Sequence, residues 1–123
     1  MNALEEYEYL NLQTIKEDTF GDTDILKMII ELFVEGIDEY VDVLNNAMPN
    51  EDWQTLFKAT HKIKPNISMF GITKLESTIL QLEHNFRNEE NLETVAIGVE
   101  SCISILKQVR VELLTELKLM DNG

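Results

Sequence analysis

Apolar residues recur every three or four positions along almost the whole of this 123-residue chain. This spacing gives an α-helix one apolar face and one polar face, and no segment shows the strict alternation of a half-exposed strand. Only two prolines and five glycines interrupt the pattern. Because proline and glycine are the residues that most disfavour helix, the sequence predicts an all-α protein built from long amphipathic helices.

Turn residues divide this pattern into five segments. Gly21, the triplet Met48-Pro49-Asn50, Gly71 and the polar stretch from Arg87 to Asn91 fall between apolar runs. We predict a short helix at about 11–19 and long helices at about 22–46, 51–70, 73–86 and 92–119. Four long helices with short connections predict an antiparallel up-down four-helix bundle, to which the short N-terminal helix is an addition.

The whole chain is expected to form one domain, with residues 1–9 as an N-terminal tail and 10–119 as the helical bundle. Asp22 or Thr23 is the predicted cap of the second helix, and Asn50 that of the third. The apolar residues of the second helix include Ile25, Met28, Ile29, Leu32, Phe33, Ile37, Tyr40, Val41 and Leu44.

The net charge of −13 excludes several classes of function. Nucleic-acid binding requires a basic surface, and the same acidity opposes contact with anionic membranes. No apolar run approaches the roughly 20 residues of a membrane span, and the N-terminus lacks the features of a secretory signal. The single cysteine, Cys102, cannot form a disulfide within the chain. We expect a cytoplasmic protein, with a monomer as the default oligomeric state.

The predicted third helix places His61 away from its apolar face. Apolar residues fall at about 160–240° around the helix from His61, and they are Leu56, Ala59, Ile63, Ile67 and Phe70. We therefore expect the imidazole to point into solvent. The residues within roughly 60° of it are Gln54, Phe57, Lys58, Lys64, Pro65 and Ser68. Two apolar side chains on the outward face beside a histidine indicate a docking surface.

The charge around His61 differs from that of the rest of the chain. No Asp or Glu occurs from Trp53 to Leu75, whereas the four lysines of this stretch are Lys58, Lys62, Lys64 and Lys74. A local positive field suits an anion held at the histidine. Histidine, with an ordinary pKa of about 6.5, is mostly neutral at neutral pH and then has a nucleophilic ring nitrogen. If such a histidine accepts a phosphoryl group, the ammonium group of Lys64, one turn away on the same side, can neutralise the added charge.

The segment ATHKIKPNISMFG, residues 59–71, resembles the signature of histidine-containing phosphotransfer (HPt) domains. That signature has a phosphoacceptor histidine, a lysine three residues later and a glycine ten residues after the histidine, which His61, Lys64 and Gly71 match. The resemblance extends from about residue 10 to residue 117. Pro65 replaces the family's usual glycine, and Asn66 and Ile67 replace small residues. Since proline lacks an amide donor and crowds the carbonyl four residues earlier, we expect a local kink and a freed His61 carbonyl.

The resemblance implies a phosphorelay intermediate without kinase activity of its own. His61 would accept a phosphoryl group from a receiver-domain aspartate and pass it to another receiver domain, and Lys64 would stabilise the phosphoryl group. The partners would be receiver domains of a hybrid sensor histidine kinase and of a response regulator. No cofactor is expected, because magnesium would belong to the receiver. The expected partner contacts are Gln54, Phe57, Lys58, Pro65 and Ser68, and Gly71 would end the helix in a left-handed conformation.

A di-iron bundle needs Glu-x-x-His pairs, but Lys58 and Gln81 occupy the position three residues before the two histidines. A non-phosphorylated adaptor with the same fold stays an open alternative. We expect His84 to be an ordinary surface residue, Cys102 a buried thiol and Trp53 a core anchor.

Overall fold

The computed structural model describes residues 7–122, and within them it contains five α-helices and no strand. The helices are α1 (Gln13–Asp18), α2 (Thr23–Ala47), α3 (Trp53–Met69), α4 (Thr73–Asn88) and α5 (Leu92–Asn122). The all-α prediction is confirmed, and every predicted helix bound lies within three residues of the observed one. Residues 1–6 of the predicted tail lie outside the described residues.

The four long helices pack in a ring, in which α2 contacts α3, α3 contacts α4, α4 contacts α5 and α5 contacts α2. Two ion pairs join α2 to α5 and show that these helices run antiparallel: Lys27 pairs with Asp121 at 2.8 Å, and Asp38 pairs with Arg110 at 2.7 Å. The predicted four-helix bundle with an additional short helix is therefore the observed architecture. None of the helices in residues 7–122 is long and apolar enough to cross a membrane.

Side-chain caps fix where α2 and α3 begin. The Asp22 carboxylate accepts a hydrogen bond from the Ile25 amide at 3.1 Å, as predicted. The cap of α3 is Asp52, which accepts from the amide and hydroxyl of Thr55 at 3.2 and 2.7 Å. The prediction of Asn50 as this cap is wrong, because the Asn50 amide instead donates to the Asn46 carbonyl at 2.9 Å.

Gly71 ends α3 with a φ of +66°, so the predicted left-handed conformation is confirmed. The N-terminal segment passes directly over it. A Cβ atom at position 71 would lie 2.7 Å from Cβ of Asn11, and the Asn11 amide donates to the Phe70 carbonyl at 3.0 Å. Glycine is therefore required here both for its backbone conformation and for its lack of a side chain.

The N-terminal segment is also held on α5 by two buried carboxylates. Glu112 accepts hydrogen bonds from the amides of Tyr9 and Leu10 at 3.2 and 3.0 Å, and Glu116 accepts from the Tyr7 hydroxyl at 2.8 Å. Leu10 is buried, and both tyrosines are half-buried. Residues 7–9 of the predicted tail are thus packed against the bundle.

The core contains apolar residues of all five helices, and Phe33 of α2 stacks on Phe70 with ring centroids 4.4 Å apart. Cys102 is buried as expected, and burial raises the pKa of its thiol to about 12. Trp53 is half-buried rather than a full core anchor, and its ring stacks on Phe86 with a 6.1 Å centroid separation.

The buried face of α2 contains only some of the apolar residues named from the sequence. Ile25, Met28 and Leu32 are exposed. The residues that α2 buries are Leu26, Ile30, Phe33, Val34, Ile37, Tyr40, Leu44 and Ala47. Apolar residues cover more than one face of this helix, so their spacing alone did not determine which face meets the core.

Candidate functional site

His61 lies in the middle of α3 with 63 % of its side chain exposed. The opposite side of the helix is buried through Leu56, Ile63 and Ile67. Thr60 is also buried, where its hydroxyl donates to the Leu56 carbonyl and accepts from the Tyr40 hydroxyl, each at 2.8 Å. These contacts fix the rotation of α3, and the expectation that the His61 imidazole faces solvent is confirmed.

A carboxylate from α4 holds both His61 and Lys64. Glu83 Oε2 lies 2.7 Å from His61 Nδ1, and Glu83 Oε1 lies 2.8 Å from Lys64 Nζ. The Glu83 side chain is only 7 % exposed. This role was not predicted from the sequence, because Glu83 lies 22 residues from His61 along the chain. The one available signal was an acidic residue directly after Leu82 on the side of α4 that packs against the core.

Glu83 is ionised at neutral pH. Burial alone would raise the pKa of its carboxyl group, but hydrogen bonds and charge from Lys64 and His61 outweigh burial and hold the pKa below the ordinary 4.5. An ionised carboxylate can only accept hydrogen bonds. In the neutral imidazole the Nδ1 atom of His61 therefore carries the hydrogen, and Nε2 keeps its lone pair.

The positive field predicted around His61 is reduced by acids from neighbouring helices. Lys64 is paired with Glu83, and Lys62 lies 3.5 Å from Glu39 of α2. Residues 53–75 contain no Asp or Glu, but in the folded chain carboxylates of α2 and α4 lie beside two of the lysines in this stretch. Unlike Glu83, the Glu39 carboxylate is well exposed, so its pairing with Lys62 is weak.

Phe57 and Arg87 form the edge of the site on the α4 side. The Phe57 ring lies 5.9 Å from the His61 ring, and the Arg87 guanidinium carbon lies 5.2 Å from the Phe57 ring centroid. This is a cation–π arrangement. Phe57 is half-buried and packs against the core, so it is less outward than the sequence suggested. Arg87, which was expected in a loop, belongs to the last turn of α4.

The other predicted contact residues lie on the outward face of α3, where Gln54, Lys58, Pro65 and Ser68 are all exposed. The helix is continuous through Pro65 as far as Met69. Proline has no amide hydrogen to donate to the His61 carbonyl, which therefore lacks its usual partner within the helix. The kink expected at Pro65 stays a prediction.

Two grooves flank α3 beside the site. A cavity of about 130 Å³ between α2 and α3 is lined by Gly36, Glu39, Tyr40, Val43, Ala59, Lys62, Ile63 and Asn66. A second groove, between α3 and α4, is lined by Lys64, Pro65, Ile67, Ser68, Glu76, Ile79 and Leu80. His84 is exposed as expected and lies 3.2 Å from Glu90. In the part of the chain that the structure describes, no three His, Cys, Asp or Glu side chains are grouped so that they could hold a metal ion.

Comparison with known proteins identifies the family. The family model described as Hpt domain matches residues 28–120, a range that includes His61, Lys64, Glu83 and Arg87. Neither the curated proteins nor the solved structures contain a significant match. The family match covers most of the chain and agrees with the helical bundle, so this chain belongs to the Hpt domain family, whose members transfer phosphoryl groups through a histidine in two-component phosphorelays.

Proposed function

We propose that this protein is a phosphorelay intermediate whose phosphoacceptor is Nε2 of His61. It accepts the phosphoryl group from an aspartyl phosphate on the receiver domain of a hybrid sensor histidine kinase. It then passes the group to the receiver domain of a response regulator. The observation that carries this proposal is an exposed imidazole whose Nδ1 atom is bound to the buried Glu83 carboxylate at 2.7 Å.

The geometry suits nucleophilic attack without a general base. The Nε2 lone pair attacks phosphorus, an N–P bond forms, and the P–O bond to the aspartate breaks so that its electron pair leaves with the carboxylate. Positive charge develops on the imidazole during this step, and the Glu83 carboxylate at Nδ1 stabilises it. Transfer to the second receiver is the reverse reaction. Any magnesium in the reaction is expected on the receiver domain.

Two cations are available for the phosphoryl group. Lys64 is bound to Glu83 before transfer, and the added phosphoryl charge would compete with Glu83 for its ammonium group. Arg87 stacks over Phe57 on the α4 side of His61, and its planar guanidinium suits phosphate oxygens. We therefore propose that Lys64 and Arg87 both stabilise the phosphoryl group. Lys64 lies on the same helix as His61, one turn away, whereas Arg87 belongs to α4.

The receiver domain is proposed to dock across α3 and α2. On α3 the contacts are Gln54, Phe57, Lys58, Pro65 and Ser68. On α2 they are the exposed residues Ile25, Met28 and Leu32, which we call the α2 apolar strip. Leu32 lies one turn before Gly36, which lines the groove between α2 and α3, and the neighbouring Phe33 stacks on Phe70. The strip thus continues the outward face of α3, and interface centres favour such uncharged apolar residues.

This role assigns the phosphoryl donor to the receiver domain, so the protein needs no nucleotide and no kinase activity of its own. A relay between a sensor kinase and a response regulator would operate in the cytoplasm, which is the location we propose.

A transfer assay tests the proposed function. The chain is incubated with a panel of phosphorylated receiver domains, and label on the chain is tested for acid lability and alkali stability. We expect labelling of the wild type, none of His61→Gln and normal labelling of His84→Gln, which is the matched control. Equal labelling of both variants would reject His61 as the acceptor, and an unlabelled wild type across the panel would favour the adaptor function.

A further inference from the structure

Gly36 lies in the middle of α2, where the packing of residues 7–122 does not require a glycine. Glycine is one of the least favourable residues inside a helix, because it loses the most backbone freedom on folding. Gly36 does not have the left-handed φ of Gly71. A Cβ atom at position 36 would meet no heavy atom within 4 Å outside its own part of α2, whereas one at Gly98 would lie 3.2 Å from Leu82 Cδ2. The fold would therefore accept a larger residue at position 36.

The missing side chain leaves open the groove of about 130 Å³ between α2 and α3. Besides Gly36, this groove is lined by four apolar or aromatic side chains, which are Tyr40, Val43, Ala59 and Ile63. A cavity of roughly 150 Å³ is enough to hold a benzene molecule. The groove therefore has space for one apolar side chain of the size of leucine or methionine.

Two charged side chains line the groove, one from each helix. Glu39 of α2 and Lys62 of α3 form an ion pair with a separation of 3.5 Å. Their side chains are 67 % and 81 % exposed, and ion pairs in water at such exposed positions contribute little. The pair can therefore separate at little cost when another side chain enters.

The groove lies between the two parts of the surface on which a receiver domain is proposed to dock. Lys62 follows His61 on α3, and the exposed Leu32 lies one turn before Gly36 on α2. The α3 residues that line the groove are all within five residues of His61, which is about 7.5 Å along the helix. A standard interface covers roughly 800 Å² of each partner, a circle of about 16 Å radius. A receiver domain that contacts both His61 and Leu32 must therefore lie over the groove.

We propose that one apolar side chain of the receiver domain enters this groove beside Gly36. The inference rests on the proposed phosphorelay function and adds to it a contact that selects the partner. A receiver domain with a small or unbranched apolar residue at this point of its surface fits the groove. One with a charged residue there is rejected, because the charge would be buried against apolar walls without a partner.

Filling the groove from inside the chain tests this proposal. A receiver domain that labels the wild type in the transfer assay is titrated calorimetrically into the wild type and into Gly36→Leu. We expect Gly36→Leu to bind the receiver about tenfold or more weakly, because the new side chain occupies the groove. Urea unfolding should show that Gly36→Leu is no less stable than the wild type, since leucine favours helix more than glycine does. Gly36→Ala should raise the folding equilibrium constant roughly fivefold.

Ser101→Leu is the matched control, because it adds the same side chain at an exposed position of α5, the helix diagonally opposite α3 in the ring. It should bind the receiver like the wild type. If Gly36→Leu binds as tightly as this control while His61 is still labelled, the groove contact is overturned and the relay function stands. A Gly36→Ala chain less stable than the wild type would also overturn the contact, because the fold would then need the glycine. A wild type that no receiver labels would reject the relay function itself.

Discussion

At the scale of single residues, the environment of Glu83 determines what His61 can do. The carboxylate is buried, ionised and bound both to the imidazole and to the Lys64 ammonium group. It fixes the tautomer of the ring, and in the proposed reaction it would compensate the charge that the ring gains on phosphorylation. Glu83 is thus a positioning residue in the proposed reaction, although it does not touch the phosphoryl group.

Replacing Glu83 by Gln should slow phosphotransfer more than it disturbs the fold. The amide can still accept a hydrogen bond from His61 Nδ1, but it cannot neutralise the ring or hold Lys64. We expect the transfer rate to fall on the order of tenfold, which corresponds to about 1.4 kcal/mol of lost transition-state stabilisation. Rapid-quench transfer from a phosphorylated receiver measures it. Glu100→Gln, an exposed position on α5, is the control. A rate equal to that of the control would remove Glu83 from the mechanism.

The pH dependence of stability tests the same carboxylate. Because the pKa of Glu83 is lower in the folded chain than its ordinary 4.5, its stabilising contribution is present above that pH. The contribution is lost as the pH falls through the folded pKa. Urea unfolding of the wild type and of Glu83→Gln should therefore show a stability difference that shrinks from about pH 5 to about pH 3. A difference that stays constant or grows over this range would contradict the ion pairing.

At the scale of helices, the apolar spacing and the turn residues were enough to predict the number of helices and their approximate bounds. The cap of α3 was not predicted correctly, because Asn50 and Asp52 are both suitable residues and only the geometry of the preceding turn distinguishes them. The buried face of α2 was also uncertain from its spacing, since Leu32 and Ile30 are equally apolar. Contacts with α3 and α5 decided it.

Pro65 is the point at which α3 departs from regular helical bonding. Proline inside a helix is roughly 3 kcal/mol less favourable than alanine, although it also restricts the unfolded chain by about 1 kcal/mol. We therefore expect Pro65→Ala to raise the free energy of unfolding by about 2 kcal/mol, measured in urea. Pro49→Ala, in the turn before α3, restores no helical hydrogen bond and should give no such gain. A Pro65→Ala chain no more stable than wild type would show that α3 accommodates the proline without cost.

At the scale of the whole molecule, the sides of the bundle differ in the residues that they expose. The α2 and α3 side holds His61 and the α2 apolar strip, while the groove between α4 and α5 is lined by uncharged residues. The sequence predicted the outward direction of His61, because that follows from one helix alone. It could not predict Glu83, Arg87 or the packed segment 7–12, because those contacts depend on how separate helices meet.

A substitution in the α2 apolar strip tests receiver docking separately from stability. A substitution of Phe57 would not, because its half-buried ring also stabilises the fold. Leu32→Glu should weaken binding of a receiver domain about tenfold or more, since it places a charge in an apolar contact. Its stability should stay within about 0.5 kcal/mol of wild type, because the side chain is exposed. Calorimetric titration measures the affinity, with Val111→Glu as the control. Unchanged affinity in Leu32→Glu would place docking elsewhere.

The most direct measurement of the central claim is nitrogen NMR of the phosphorylated chain with ¹⁵N-labelled histidine. The account predicts a phosphorus–nitrogen coupling on Nε2 of His61, with a hydrogen retained on Nδ1 by Glu83. Coupling on Nδ1, or on either nitrogen of His84, would contradict it.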